Sequence, residues 1–100
     1  MKFLILQKIK PPVPIEVLSK LSPAQLKYIS ELESKGIIEK YYHLIGQQGF
    51  MIICNVDSDD ELSKIISQDP LFFYSSREIF PLTTRQIHTK HLMEILKGEI

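Results

Sequence analysis

The chain has 100 residues, 44% of them hydrophobic, and its twelve basic side chains balance twelve acidic ones. This length suits a single domain, 1–100, and the lack of net positive charge argues against nucleic acid or an anionic membrane as a partner. The lone cysteine excludes an internal disulfide, and the apolar N-terminal run is too short for a signal peptide or a spanning helix, so we expect a cytoplasmic protein.

The first elements in the chain are predicted to be a strand and a long helix. Residues 2–9 are rich in β-forming side chains, and the proline cluster that starts at Pro11 ends the strand. Residues 15–35 carry a helical apolar stripe, and Gly36 suits the helix end. Because a capping-box pattern starts at Ser22, we expect a short first turn, a break there and then the longer helix.

Two strands and a second helix are predicted next. Strands over 37–45 and 50–56 flank the loop 46–49, whose two glycines suit a hairpin. A second capping box at 58–61 starts a short helix that Pro70 ends.

The last part of the chain is predicted to be a strand over 75–82 and a helix capped at 83–86. The loop that leads into the strand is unusually apolar, with Leu71, Phe72, Phe73 and Tyr74 in succession. We interpret these rings as packing at the mouth of an inter-sheet cavity.

The order of these elements predicts an α+β fold: a ferredoxin-like βαββαβ unit with an antiparallel four-stranded sheet and a C-terminal helix. The strands carry apolar residues on both faces, whereas the two crossover helices cover only one. We therefore expect a homodimer through the open sheet face, and assembly beyond the dimer stays open.

Several blocks of sequence resemble the muconolactone isomerase family. Residues 69–74 stand at that family's Leu-Pro-Leu-Phe-Pro-Tyr run, and 77–79 stand at its Ile-Glu-Val strand. Residues 35–36, 42–46 and 56–58 match further blocks at the same spacing. Four departures are Phe73 where the family has proline, Gln47 where it has histidine, and Tyr42 and His43 where it has tryptophan and arginine.

The resemblance implies a dimeric α+β barrel that moves a double bond within an unsaturated lactone and needs no cofactor. Such a reaction requires a base to remove a proton and an acid to return it. Glu78 and His43 are the candidate catalytic residues. Glu78 lies mid-strand, facing away from Arg77 and Ile79, and an exposed edge acid is the alternative. His43 shares a face with Tyr41, and a histidine with a local structural hydrogen bond is the alternative.

Five further residues are predicted to contact the substrate. Two tyrosine hydroxyls can donate to a ligand oxygen, although packed tyrosines with a wet tip are common. A lysine near the end of the first strand, a ring of the apolar loop and the hairpin glutamine complete the set. These residues are Lys8, Tyr42, Gln47, Phe72 and Tyr74.

Other chemistries have weaker support. His88, His91 and Glu94 fall on one face of the last helix, but no other histidine or cysteine cluster supports a metal, and the polar-face interpretation is favoured. Cys54 is predicted to be a buried, inert thiol. Besides the isomerase, two hypotheses remain: a non-catalytic dimeric barrel that binds a small apolar metabolite, and a cofactor-independent monooxygenase.

Overall fold

The computed structural model describes residues 1–98 as a four-stranded sheet in the order β2-β3-β1-β4, with every neighbouring pair antiparallel. This topology confirms the predicted ferredoxin-like α+β fold. A 3-10 turn, Phe72–Tyr74, precedes the last strand. The elements are β1 Lys2–Ile9, α1 Ile15–Ser34, β2 Ile38–His43, β3 Gly49–Asn55, α2 Asp59–Ser67, β4 Ser75–Leu82 and α3 Arg85–Leu96.

The core lies between the sheet and the pair α1 and α2. Alternation along the central strands β1 and β3 sends every second side chain toward these helices. Tyr28 joins the two helices, since its hydroxyl donates to the Ile65 carbonyl over 2.7 Å. The buried residues of this cluster are Phe3, Ile5, Ile29, Leu32, Ile38, Phe50, Ile52, Cys54, Val56 and Leu62.

The opposite face of the sheet is also apolar but carries no helix. Leu4 pairs with Ile53 on one side and Phe80 on the other, and Leu6 pairs with Met51. These side chains are half-buried or exposed. The chain therefore covers only one of its two apolar sheet faces.

A register shift in β2 places the side chains of Tyr41 and His43 on the sheet face that the helices cover. Ile38 pairs with Cys54, and Tyr41 pairs with Ile52. The two β2 residues are separated by an odd number of positions and their β3 partners by an even number. The strands therefore differ by one residue, and a β-bulge lies between Ile38 and Lys40. A bulge inserts one extra residue, so Ile38, Tyr41 and His43 can share one face.

Helix α1 is continuous, so the expected break near Ser22 is wrong. Pro23 lies inside the helix, and the chain continues through it to Ser34. The predicted end is confirmed: Gly36 has φ +74°, and the N–H of Ile37 donates to the Leu32 carbonyl over 3.0 Å. This Schellman arrangement needs the left-handed conformation that glycine adopts readily.

The shorter helices begin at hydroxyl caps. Ser58 accepts from the N–H of Glu61, and Thr84 accepts from the N–H of Ile87. Every side chain of α3 except Glu94 is exposed, and the molecule measures 59 × 28 × 21 Å along its principal axes. Within residues 1–98, no helix combines the length and apolarity needed to cross a membrane.

A buried polar network joins β1, β4 and the loop after α2. Asp69 is 8% exposed, and one of its oxygens accepts from Gln7 over 2.8 Å and from Arg77 over 3.0 Å. Its other oxygen accepts the N–H of Leu71, while Ser75 accepts from both Gln7 and Arg77. The Arg77 guanidinium also lies 4.8 Å from the centre of the Phe72 ring. One carboxylate thus fixes the apolar loop against the sheet.

We expect Asp69→Ala to destabilise the fold by about 3–5 kcal/mol, because it leaves the Arg77 charge buried without its partner. The matched control is Glu39→Ala, which removes the exposed Lys2–Glu39 pair (3.0 Å) and should cost about 1 kcal/mol or less. Urea unfolding of the two variants measures both values. Equal losses would contradict the role of the buried pair.

Candidate functional site

A cavity of about 510 Å³ lies between α1 and the end of the sheet where the β2–β3 hairpin turns. Apolar walls come from the helix and from β1, as expected for a small-molecule site. The polar part of the lining contains Gln7, Ser22, Gln25, Tyr41, His43, Gln47 and Gln48. No Asp, Glu, Lys or Arg of the described chain belongs to this lining.

Gln25 is the most unusual residue of the cavity lining. Its side chain is 6% exposed, and neither its amide nitrogen nor its amide oxygen has a hydrogen-bond partner within residues 1–98. A buried polar group without a partner costs about 1–3 kcal/mol, and buried polar groups in proteins are nearly always bonded. Both carboxamide atoms are shielded from solvent, so Gln25 forms part of the cavity wall without presenting its polar end to the cavity.

His43 and Tyr41 form a pair on the same wall. The Tyr41 hydroxyl and His43 Nε2 are 3.1 Å apart, and the two rings meet edge to face with centroids 5.0 Å apart. Tyr41 also stacks on Phe50. Burial, with a smaller contribution from Glu33, raises the pKa of Tyr41, so its phenol keeps its proton at neutral pH.

The hairpin loop supplies the rest of the rim. Gly49 approaches β1 so closely that a Cβ atom there would lie 2.5 Å from the Gln7 carbonyl oxygen. Gln47 lines this cavity and also an adjoining one of about 630 Å³, which contains Lys8. The larger cavity holds no buried polar side chain, so the smaller one is the better candidate site. A ligand that spans both would place one end near the Lys8 ammonium.

The structure separates the two predicted catalytic residues. His43 lies on the helix side of the sheet, whereas Glu78 pairs with Leu6 on the open face, and both side chains are exposed. Tyr42 pairs with Met51 and shares that open face. Within one described chain, the sheet therefore lies between His43 and Glu78.

Of the residues predicted to contact the substrate, some line the two cavities and others do not. Gln47 and Lys8 line the two cavities, as described above. Phe72 packs beneath Arg77, and Tyr74 is partly exposed at the end of the 3-10 turn; neither lines these cavities. Phe73 is 85% exposed and contacts Phe72 edge to face. The loop rings therefore do not close a cavity within one chain, and their part in substrate binding stays a prediction.

The remaining reactive groups give no second centre. Cys54 is 1% exposed, and burial raises the pKa of its thiol, which disfavours the reactive thiolate. Within residues 1–98, no three His, Cys, Asp or Glu side chains lie close enough together to hold a metal ion. His88 and His91 are exposed on α3.

Comparison with known proteins assigns the chain to a family. The sequence model of the family described as Muconolactone delta-isomerase matches residues 1–87. The chain belongs to this muconolactone isomerase family. A Muconolactone Delta-isomerase 1 from Acinetobacter lwoffii is 30% identical over 70 residues, which are 70% of this chain and 73% of that protein. The Muconolactone Delta-isomerase of Rhodococcus opacus is 39% identical over 56 residues, which are 56% of this chain and 60% of that protein.

Solved structures show the same fold. A crystal structure of muconolactone isomerase matches with a TM-score of 0.78 at 22% identity, covering 85% of this chain and 91% of that one. The 5-chloro-2-hydroxyhydroquinone dehydrochlorinase of Burkholderia phenoliruptrix matches with a TM-score of 0.70 at 20% identity, covering 87% and 98%. The resemblance noted in the sequence is thus confirmed for the family and for its fold.

Gln25 was missed in the sequence, although its position carried a signal. The apolar stripe of α1 runs through Leu18, Leu21, Tyr28 and Leu32, and Gln25 occupies the place between Leu21 and Tyr28. A polar residue at such a position is buried by the helix packing and needs a hydrogen-bond partner there. The carboxamide of Gln25 has none within residues 1–98.

We expect Gln25→Leu to leave the fold as stable as the wild type or more stable by up to about 2 kcal/mol, because it removes two buried groups that lack partners. The matched control is Gln86→Leu at an exposed position of α3, which should change stability by less than about 0.5 kcal/mol. Urea unfolding measures both. A clear loss of stability in Gln25→Leu alone would show that the carboxamide has a structural partner.

Proposed function

We propose that this chain is a proton-transfer isomerase that shifts a double bond in an unsaturated lactone or a related oxygenated ring compound. One observation carries the proposal: a hydrogen-bonded His43–Tyr41 pair lines a cavity of about 510 Å³ between α1 and the sheet. Membership of the muconolactone isomerase family supports the reaction class.

His43 would act as both base and acid. When the Tyr41 hydroxyl accepts from Nε2–H, Nδ1 is free to take a proton from the ring carbon beside the conjugated system. The C–H electron pair then moves onto the carbonyl oxygen to give a dienolate. The imidazolium returns the proton to another carbon of the same π system, the carbonyl re-forms, and the double bond has moved with no net change in oxidation state.

The neighbouring amides would stabilise the charge that develops on the substrate oxygen. Hydrogen-bond donors that are already positioned stabilise such an oxyanion. Gln47 and Gln48, which line the cavity, can supply these donors. A carboxylate substituent would extend toward Lys8 in the adjoining cavity. The proposed steps use only side chains of the protein, so we propose no cofactor.

Ring compounds with several oxygens are reasonable substrates for this fold. The similar dehydrochlorinase structure is a complex with 2,5-dihydroxybenzoquinone. A place in the breakdown of aromatic compounds follows from the proposed reaction. The single cysteine, which has no partner within the chain, is consistent with a reducing cytoplasmic setting.

We also propose a homodimer through the open face of the sheet. The half-buried side chains of Leu4, Leu6, Met51 and Ile53 form an apolar surface there, and such surfaces on soluble domains commonly bind another copy. Glu78 and Tyr42 share this face. Any contact that they make with a substrate would therefore depend on the partner subunit.

We expect His43→Ala to lower kcat/KM for muconolactone by about 10²–10⁴-fold, because it removes the proposed acid and base. Ultraviolet absorbance follows the movement of the double bond. His88→Ala is the matched control, since His88 is exposed on α3 and lines no part of the cavity, and this variant should retain wild-type activity.

The variant Glu78→Gln tests whether the catalytic residue lies on the open face of the sheet or on the face that the helices cover. Loss of turnover in Glu78→Gln with activity retained in His43→Ala would place the chemistry on the open face and refute the proposed site. Absence of turnover in the wild type at high enzyme concentration would reject muconolactone as the substrate. Ligand-dependent thermal shifts in that case would favour a binding protein.

We expect Leu6→Lys to convert a wild-type dimer into a monomer, because it places a charge in the middle of the apolar surface. Light scattering coupled to gel filtration measures the mass. Ser63→Lys adds the same charge on the exposed side of α2 and should leave the dimer intact. A wild type that is monomeric, or a Leu6→Lys variant that stays dimeric, would contradict this interface.

A further inference from the structure

The two cavities beside α1 adjoin each other. Their linings share Ile9, Leu18 and two residues of the hairpin loop, Gln47 and Gln48. The smaller cavity contains the His43–Tyr41 pair, whereas the larger one, of about 630 Å³, extends along the segment that joins β1 to α1. A ring held beside His43 therefore has a second space next to it, into which a substituent can extend.

The lining of the larger cavity is apolar except at its rim. Its apolar side chains are Ile9, Pro11, Pro12, Val13, Ile15 and Leu18. Ile15 is 74% exposed, which leaves a large apolar side chain in water. Among the described residues that line this cavity, Lys8 alone carries a charge. Covering apolar surface is favourable, and an ammonium group attracts an anion, so this space suits an apolar group that ends in an anion.

Backbone contacts hold both walls of the larger cavity in place. The N–H of Ile9 donates to the Gln48 carbonyl over 2.9 Å and fixes the hairpin at the end of β1. The N–H of Lys10 donates to the Tyr74 carbonyl over 2.8 Å, and three prolines follow between positions 11 and 14. Because proline restricts φ, this wall has little conformational freedom to lose when a ligand binds.

We propose that the substrate ring carries a flexible apolar arm of several methylene groups that ends in a carboxylate. The arm lies along Val13, Ile15 and Leu18, and the carboxylate lies near the Lys8 ammonium. This inference rests on the proposed function, because it places the ring in the smaller cavity beside His43, and it names the substrate class for that site. Muconolactone has a single methylene group in its arm, so it reaches toward Lys8 without covering the apolar wall.

Saturated γ-lactones with carboxylated arms of one to seven methylene groups test the proposal. They keep the lactone ring but have no double bond to move, so binding is measured without turnover. We expect calorimetric titration to give at least about tenfold tighter binding for an arm of five methylene groups than for an arm of one. Each methylene group that contacts the wall leaves water, and this is the source of the gain.

Two serine substitutions in the wall should remove this dependence on arm length. Val13 and Ile15 lie outside the buried core, so the double variant Val13→Ser, Ile15→Ser is expected to fold. Its preference for the longer arm should fall to within about threefold. The matched control is Ile95→Ser, Leu96→Ser on the exposed side of α3, outside both cavities, and it should keep the full preference. Ile15→Ser alone replaces the double variant if that variant is unfolded in urea titration.

The anionic end of the arm is tested with the methyl ester of the five-methylene ligand. At low salt, wild-type protein should bind the acid about threefold more tightly than the ester, because the ester carries no charge. Lys8→Gln should bind the two equally. Lys64→Gln, on the exposed side of α2 and outside both cavities, should keep the difference.

The outcomes separate this inference from the proposed reaction. Absence of lactone binding, or affinity that does not depend on arm length, would overturn the arm site, and a second copy of the chain covering this surface would give that result. A preference that survives the double variant would also overturn the site. Equal binding of acid and ester by the wild type would remove Lys8 from it. If arm length governs affinity while His43→Ala retains full activity, the proposed catalysis fails and the arm site stands.

Discussion

The Asp69 carboxylate is the interaction on which the rest of the structure depends. It accepts hydrogen bonds from β1 through Gln7, from β4 through Arg77 and from its own loop through the Leu71 N–H. Two of these partners, Gln7 and Leu71, also line the candidate site. Because a buried charge is tolerated only when it is fully bonded, the loop and both strands must adopt this geometry together. The same contacts that join the edge strand to the fold therefore shape the floor of the cavity.

The sheet divides the chemistry of the molecule between its two faces. On the helix side, the bulge in β2 places Tyr41 and His43 on the same face as the core residues. The two side chains form a hydrogen-bonded pair in the wall of the cavity. On the other side, rows of apolar residues with Glu78 and Tyr42 at their ends lie uncovered. Within residues 1–98, the helices cover one face of the sheet only.

Local patterns predicted the fold well because strands, caps and turns depend on neighbouring residues. Strands β1 and β4 have the predicted bounds, the caps at Ser58 and Thr84 form, and Gly36 ends α1. Alternation also placed His43 on the same strand face as Tyr41, as the structure shows. It could not show which face holds a cavity, because that depends on where α1 packs. The Asp69–Gln7 bond joins residues 62 positions apart, a distance over which sequence periodicity carries no information.

Pro23 weakens the backbone of α1 beside the cavity. It has no N–H group, so the carbonyl of Ser19 has no donor at the usual position four residues later in the helix. Ser22, Gln25 and Leu26, on the same stretch of α1, form part of the cavity wall. Helix α1 thus lacks one backbone hydrogen bond in the stretch that forms the cavity wall, and side-chain packing has to hold that turn in place.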